Sequence, residues 1–476
     1  MATRVILVRH GESTYNVQKR VQGLCDESTL TEMGRIGARQ VGGALQGMKL
    51  DAIYSSPLRR ASATANLIAE TLAGVNGSCP DIQLKDTLRE VNLSLWEGMD
   101  FKAIATQYPE KYACWKERPH ELKLPMSTPE GDVEFYPIVS LYEQAKQFWA
   151  DVLPNHQGQT ILVVGHSAIN RALLQTAMGL EPKDLMAFHL ANCSISILNI
   201  GPSSGETQSG DAQSGDTQSS DIQLGTNTQL ESLNLTAHLG DPIPKERPGH
   251  KGPRLLLVRH GETDWNRDGR FQGQIDVPLN DNGRRQAKQC SDFLAPVRID
   301  RAMTSSMLRP KETAEVILQQ HPGVKLQTTQ QLWEISHGLW EGKLQTEIEE
   351  EYADELAQWQ THPHTVQMPE GENLDDVWQR AKAGWQEVLT AATAEDDGST
   401  EPVVMLVVAH DAINKALLCQ LVGWGTEEFW KFKQGNGAVS VIDYPNGIDG
   451  KPILQSMNIT TFFGAGVLDK TAAGAL

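Results

Sequence analysis

Short unbroken apolar runs alternate along this chain with longer segments in which apolar residues recur every three or four positions. The runs at 3–8 and 161–165, and again at 254–258 and 403–409, are rich in Val, Ile and Leu and carry no polar alternation. Runs of that kind predict parallel strands buried on both faces. Helical periodicity covers 32–47, 58–72 and 140–152, with counterparts at 282–294, 307–319 and 374–390. Strands alternating with helices predict an α/β architecture, a three-layer α/β/α sandwich.

The pattern occurs twice because the sequence does. VILVRHGEST at 5–14 returns as LLLVRHGETD at 255–264, and three further blocks follow in the same order. These are YSSPLRRASATA against MTSSMLRPKETA, LREVNLSLWEG against LWEISHGLWEG, and VVGHSAINRALL against VVAHDAINKALL. Successive offsets of 250, 249, 244 and 244 residues leave little room for insertions, so both copies should share one fold. The expected organisation is a domain at 1–200, a linker at 201–252, a second domain at 253–462 and a tail at 463–476. The linker reading rests on GPSSGETQSGDAQSGDTQSSDIQ, which lacks the apolar surface needed to offset ordering entropy. The tail, GAGVLDKTAAGAL, reads as loosely held, as chain termini often are.

Composition narrows the function. Apolar residues make up 39% and charged residues 21%, a soluble globular balance, and the formal charge of −18 argues against nucleic acid or an anionic membrane as partner. The six cysteines stand singly and read as reduced thiols without metal-ligand spacing. No apolar run reaches membrane-spanning length and the N-terminus lacks an apolar signal segment, so the expected location is cytoplasmic.

The strand ends carry the chemistry. In α/β folds, ligands gather beyond the carboxyl ends of strands, where the first strand of each copy delivers Arg9-His10-Gly11-Glu12 and Arg259-His260-Gly261-Glu262. A lone histidine there is most often a satisfied polar residue. A second one, His166 or His410, follows a second apolar strand in both halves and reverses that weighting. A phosphoryl group needs fixed positive charge and fork-shaped donors, a role for Arg9 and Arg60 and for Arg259 and Arg309. Neutral imidazole is a competent nucleophile at neutral pH, which nominates His10 and His260. The leaving oxygen then needs a proton, from Glu90 and Glu334 or alternatively from Glu97 and Glu341. Asn16 and Asn266 could donate to phosphate, and Gly11 and Gly261 would let the backbone approach it closely.

LVRHGEST and LVRHGETD resemble the signature of the histidine phosphatase superfamily, which includes cofactor-dependent phosphoglycerate mutases. The resemblance covers nearly the whole chain outside linker and tail. It implies two tandem domains of the phosphoglycerate mutase-like fold, phosphohistidine at His10 and His260, and Glu90 and Glu334 as proton donors. It also implies that Arg9, Arg60 and His166 hold phosphate in one copy and Arg259, Arg309 and His410 in the other. Only 76 residues separate the acid from the second histidine in each copy, nearer the phosphatase branch than the mutases, whose longer insert encloses a bisphosphorylated intermediate. The expectation is therefore hydrolysis of small phosphorylated metabolites such as sugar or sugar-acid phosphates. Mutase activity, or one active copy regulated by the other, is the alternative. Neither metal nor cofactor is expected; the two domains are expected to pack on each other, and a homo-oligomer is compatible with the family.

Overall fold

The computed structural model describes residues 2–128, 131–201, 224–225, 227–247, 249–394, 401–464 and 466–472. They fall into two compact units, Met1–Leu230 with His238–Gly240, and Glu231–Ala237 with Asp241–Leu476.

In the first unit the strand Thr3–Arg9 runs parallel to Thr160–Gly165 and antiparallel to Ile195–Ile200. Ala52–Ser55 and Ile82–Leu84 extend the sheet in parallel beyond Thr160–Gly165. Val5 to Val8 and Ile161 to Val164 are all buried although successive side chains point to opposite faces, so both faces are covered. The cover comes from helices that pack in pairs, Glu32–Ala44 with Arg59–Asn76 and Pro137–Val152 with Ser167–Met178. Each buried Val, Leu or Ile contributes about 1.5–3 kcal/mol, which holds the sheet rigid beneath the site.

The second unit repeats this plan. Arg254–Arg259 lies between parallel Val404–Ala409 and antiparallel Val439–Asp443, with Arg301–Ser305 and Leu326–Thr329 beyond. The expected strands and helices appear at the expected places in both copies. Among the described residues no helix is long and apolar enough to cross a membrane.

Two expectations require correction. Of the stretch read as a flexible linker, 202–223 lies outside the described residues, but Thr228–Leu235 is a strand. Leu230, Leu233 and Leu235 are fully buried, and Leu233 pairs with Met457 of the strand Ile453–Ile459. The neighbouring strand takes up part of its polar groups, Asn234 Nδ2 donating to the Gln455 carbonyl and Asn458 Nδ2 to the Glu231 carbonyl. The tail is also partly fixed. Asp469 is buried, its backbone N–H donates to Glu231 at 3.1 Å, and its carboxylate accepts from Thr471 and Asn458. Thr471 in turn accepts from the Asn436 N–H, beside the second site.

Candidate active site

Register brings the two histidines of each copy together. Arg9 lies opposite Gly165, and Arg259 opposite Ala409, so the residue after each strand leaves the sheet beside its partner. The His10 and His166 rings sit 5.1 Å apart, and those of His260 and His410 5.2 Å apart, all four buried.

The nucleophile candidates are oriented by their own backbone. His10 Nδ1 lies 2.7 Å from the Gly11 carbonyl and His260 Nδ1 2.7 Å from that of Gly261. A carbonyl only accepts, so Nδ1 carries the proton and Nε2 keeps its lone pair. In the second copy Arg309 Nε donates to His260 Nε2 at 3.2 Å, which requires the same tautomer. Burial, then the charges of the two arginines, hold both rings well below the usual imidazole pKa. His166 and His410 are depressed by burial first, then by Arg60 or Arg309 and by the neighbouring histidine, and accept or donate through Nε2 with Ser56 and Ser305 at 2.8 and 2.9 Å.

The arginines are fixed from behind. Arg9 Nη1 donates to the Leu190 carbonyl and Arg259 Nη1 to that of Gln434. Arg60 spends Nη1 and Nη2 on the Cys25 and Gly23 carbonyls; Arg309 does the same with Ile275 and Gly273. Burial pulls the Arg309 guanidinium down to about 10, still charged at neutral pH. Cations gathered around neutral rings, all but Arg9 buried, make a site that a dianion would complete.

The structure separates the two candidate carboxylates. Glu90 accepts the Ala168 and Ile169 N–H groups at 3.1 Å, and Glu334 the Asp411 N–H at 3.0 Å, at the N-termini of the helices that follow the second histidines. Glu97 and Glu341 turn away to clamp the loops that hold Arg60 and Arg309, accepting the Leu24 N–H at 2.6 Å and the Gln274 N–H at 2.9 Å. Gly23 and Gly273, with φ of +50° and +52°, sit under those carboxylates, where a Cβ would come within 2.3 and 2.1 Å of an oxygen. Burial first, then the neighbouring Asp411 carboxylate, raise the Glu334 pKa. In the first copy Arg9, His10, Asn16, Arg60 and Glu90 line one cavity of about 310 Å³.

Gly11 and Gly261 serve a different approach from the one expected. A Cβ there would meet the Gly34 carbonyl at 2.4 Å and the Gly283 carbonyl at 2.5 Å, so these glycines admit a helix start against the signature loop. Other members of the site were not singled out. Asn192 Nδ2 donates to the His10 carbonyl and to Asn16 Oδ1, and Asn436 repeats both bonds with His260 and Asn266. Since Asn16 Oδ1 also accepts from Ser13, its amide N–H₂ is left to face the cavity. The signal was available: these asparagines, like Ser56 and Ser305, recur between the copies at the offsets of their neighbouring blocks.

The profile of the histidine phosphatase superfamily (branch 1) matches residues 5–210 and 255–460. The chain belongs to the histidine phosphatase superfamily. It is 28% identical over 473 residues to 2-carboxy-D-arabinitol-1-phosphatase of Triticum aestivum, covering 97% of this chain and 87% of that protein. It is 31% identical to phosphoserine phosphatase 1 of Hydrogenobacter thermophilus, over 44% of this chain and 94% of that protein. The solved structure of Bacillus stearothermophilus YhfR is similar at 28% identity and a TM-score of 0.39, over 43% of this chain and 95% of that one.

Within this histidine phosphatase the copies differ above the site. Where the first has Leu93, the second has His337, fully buried against Phe271 and Trp359 with no hydrogen-bond partner on either ring nitrogen among the described residues. Burial drives its pKa down to about 3. The unfolded chain takes up a proton near pH 6.5 that the folded ring refuses until about pH 3, so stability is lost as pH falls through that window. Replacing His337 with Leu is expected to stabilise the second unit by a margin that grows by about 2 kcal/mol between pH 7 and pH 5. Urea unfolding at both pH values measures it; an equal margin at the two would show that the ring's proton is not involved.

Proposed function

We propose that this protein hydrolyses small phosphate monoesters through phosphohistidine, without metal or cofactor. The observation that carries this reading is the neutral, buried Nε2 of His10 and His260, held between two arginines with a carboxylate at the adjoining helix N-terminus. Nε2 attacks phosphorus and the P–O ester bond breaks. The leaving oxygen takes the proton of Glu90 or Glu334. Arg9, Arg60 and His166, or Arg259, Arg309 and His410, hold the phosphoryl oxygens, with Asn16 or Asn266 donating a further N–H. A water molecule then attacks the phosphohistidine, passes its proton to the carboxylate, and releases inorganic phosphate and free imidazole.

The substrate class we favour is a sugar or sugar-acid phosphate. Similarity to the wheat phosphatase over 97% of this chain supports it and makes 2-carboxyarabinitol 1-phosphate the first compound to try. The test is a panel of that compound, 3-phosphoglycerate, phosphoserine and fructose bisphosphates in the presence of a chelator, following phosphate release and isomerised product together. Free phosphate as the main product is expected. Conversion of 3-phosphoglycerate to 2-phosphoglycerate without phosphate release would overturn hydrolysis in favour of a mutase.

A further inference from the structure

Arg9, His10, Asn16, Arg60, Glu90 and His166 all recur in the second copy, whereas the positions that follow the second histidine differ. Ser167 and Arg171 of the first copy become Asp411 and Lys415 in the second. Asp411 Oδ2 lies 3.0 Å from Lys415 Nζ and 3.8 Å from Arg259 Nη1, with all three side chains almost wholly buried. Its backbone N–H donates to Glu334 together with those of Ala412 and Ile413, so its carboxylate stands beside the acid of the site, and its Oδ1 has no hydrogen-bond partner among the described residues. In the first copy the neutral Ser167 lines the cavity shared with Arg9, His10, Arg60, Glu90 and Arg171. The surroundings differ in the same sense. Arg259, Asn266 and Glu334 are buried, whereas Arg9, Asn16 and Glu90 are each partly exposed.

We propose that the copies are unequal, and that Asp411 is the residue that lowers the affinity of the second site for a dianionic phosphoryl group. The proposal rests on the reading that both sites hold phosphoryl groups. A phosphate entering the second site must share Arg259 with a carboxylate already paired to it, in an enclosed place where like charges repel more strongly than in water. Lys415 offsets part of that charge but holds the carboxylate in position. The first site offers its arginines to phosphate without an internal competitor at residue 167. Turnover at low substrate then belongs mainly to the first copy, and the second works at higher concentrations.

The experiment uses the full chain with p-nitrophenyl phosphate as substrate and inorganic phosphate as inhibitor. His260→Ala isolates the first site and His10→Ala the second. The second site is expected to show a KM and a phosphate Ki about ten-fold or more above those of the first, the scale of one modest charge interaction. In the His10→Ala background, Asp411→Ser with Lys415→Arg installs the pair of the first copy and should recover most of that factor in Ki and KM, with a smaller change in kcat. Ser167→Asp in the His260→Ala background should raise both constants. Because residue 167 is partly exposed, this variant decides the matter even where the buried exchange fails to fold. Equal constants for the two sites, or a Ki unmoved by Ser167→Asp, would overturn the proposal. Persistent turnover in the chain carrying both histidine replacements would instead overturn the nucleophile reading beneath it.

Discussion

Alanine at both His10 and His260 is expected to reduce phosphate release by roughly four orders of magnitude or more, the scale of losing a covalent nucleophile. The fold should survive, since each histidine sits at a strand end and the sheet beneath is built from aliphatic residues that neither ring supports. Circular dichroism and thermal unfolding check this. Each single variant should keep the activity of the other copy. If one single replacement removed all turnover, the two sites could not be independent, and one copy would have to act as a regulatory phosphate-binding domain.

The second large effect concerns the proton donor. Glu90→Gln and Glu334→Gln together should slow hydrolysis of an alkyl phosphate by about 10²–10⁴-fold, the usual contribution of general acid catalysis. Glutamine keeps one oxygen for the helix N–H groups, which reach both carboxylate oxygens, so one of those bonds is lost along with the proton and the leaving-group comparison separates the two effects. An ester with an acidic leaving group, such as p-nitrophenyl phosphate, needs no proton and should be slowed far less. Comparable losses on both esters would mean that these carboxylates only position the helix. Glu97→Gln and Glu341→Gln act through the loops under Arg60 and Arg309 and should weaken binding without that dependence on the leaving group.

The α/β plan was legible because an apolar run with no polar alternation has few places to go other than a doubly covered strand, and Thr3–Arg9 and Val404–Ala409 fell where that argument put them. The candidate site was legible because it lies at strand ends and is written twice. Repetition alone did not separate Glu90 from Glu97, since both recur between copies; only the helix N-terminus that meets one and the loop that meets the other distinguish them. The strand Thr228–Leu235 escaped because Ser232 and Asn234 look like linker residues until the neighbouring strand takes up the Asn234 amide and the Leu233 carbonyl. Asp469 was unreadable for a related reason: its partners, Glu231 and Asn458, stand 238 and 11 residues away and make a carboxylate in a Gly/Ala-rich tail part of a buried polar cluster.

Trapping the phosphorylated protein would reveal a phosphohistidine at His10 or His260 during turnover. The chain is mixed with a phosphate-labelled substrate from the panel, quenched within milliseconds, and assayed for label bound to protein. Bound label that is labile to acid, stable to base, and absent from the His10→Ala, His260→Ala variant is expected. Label that persists in that variant, or steady-state turnover with no bound label at any time, would contradict a phosphohistidine intermediate.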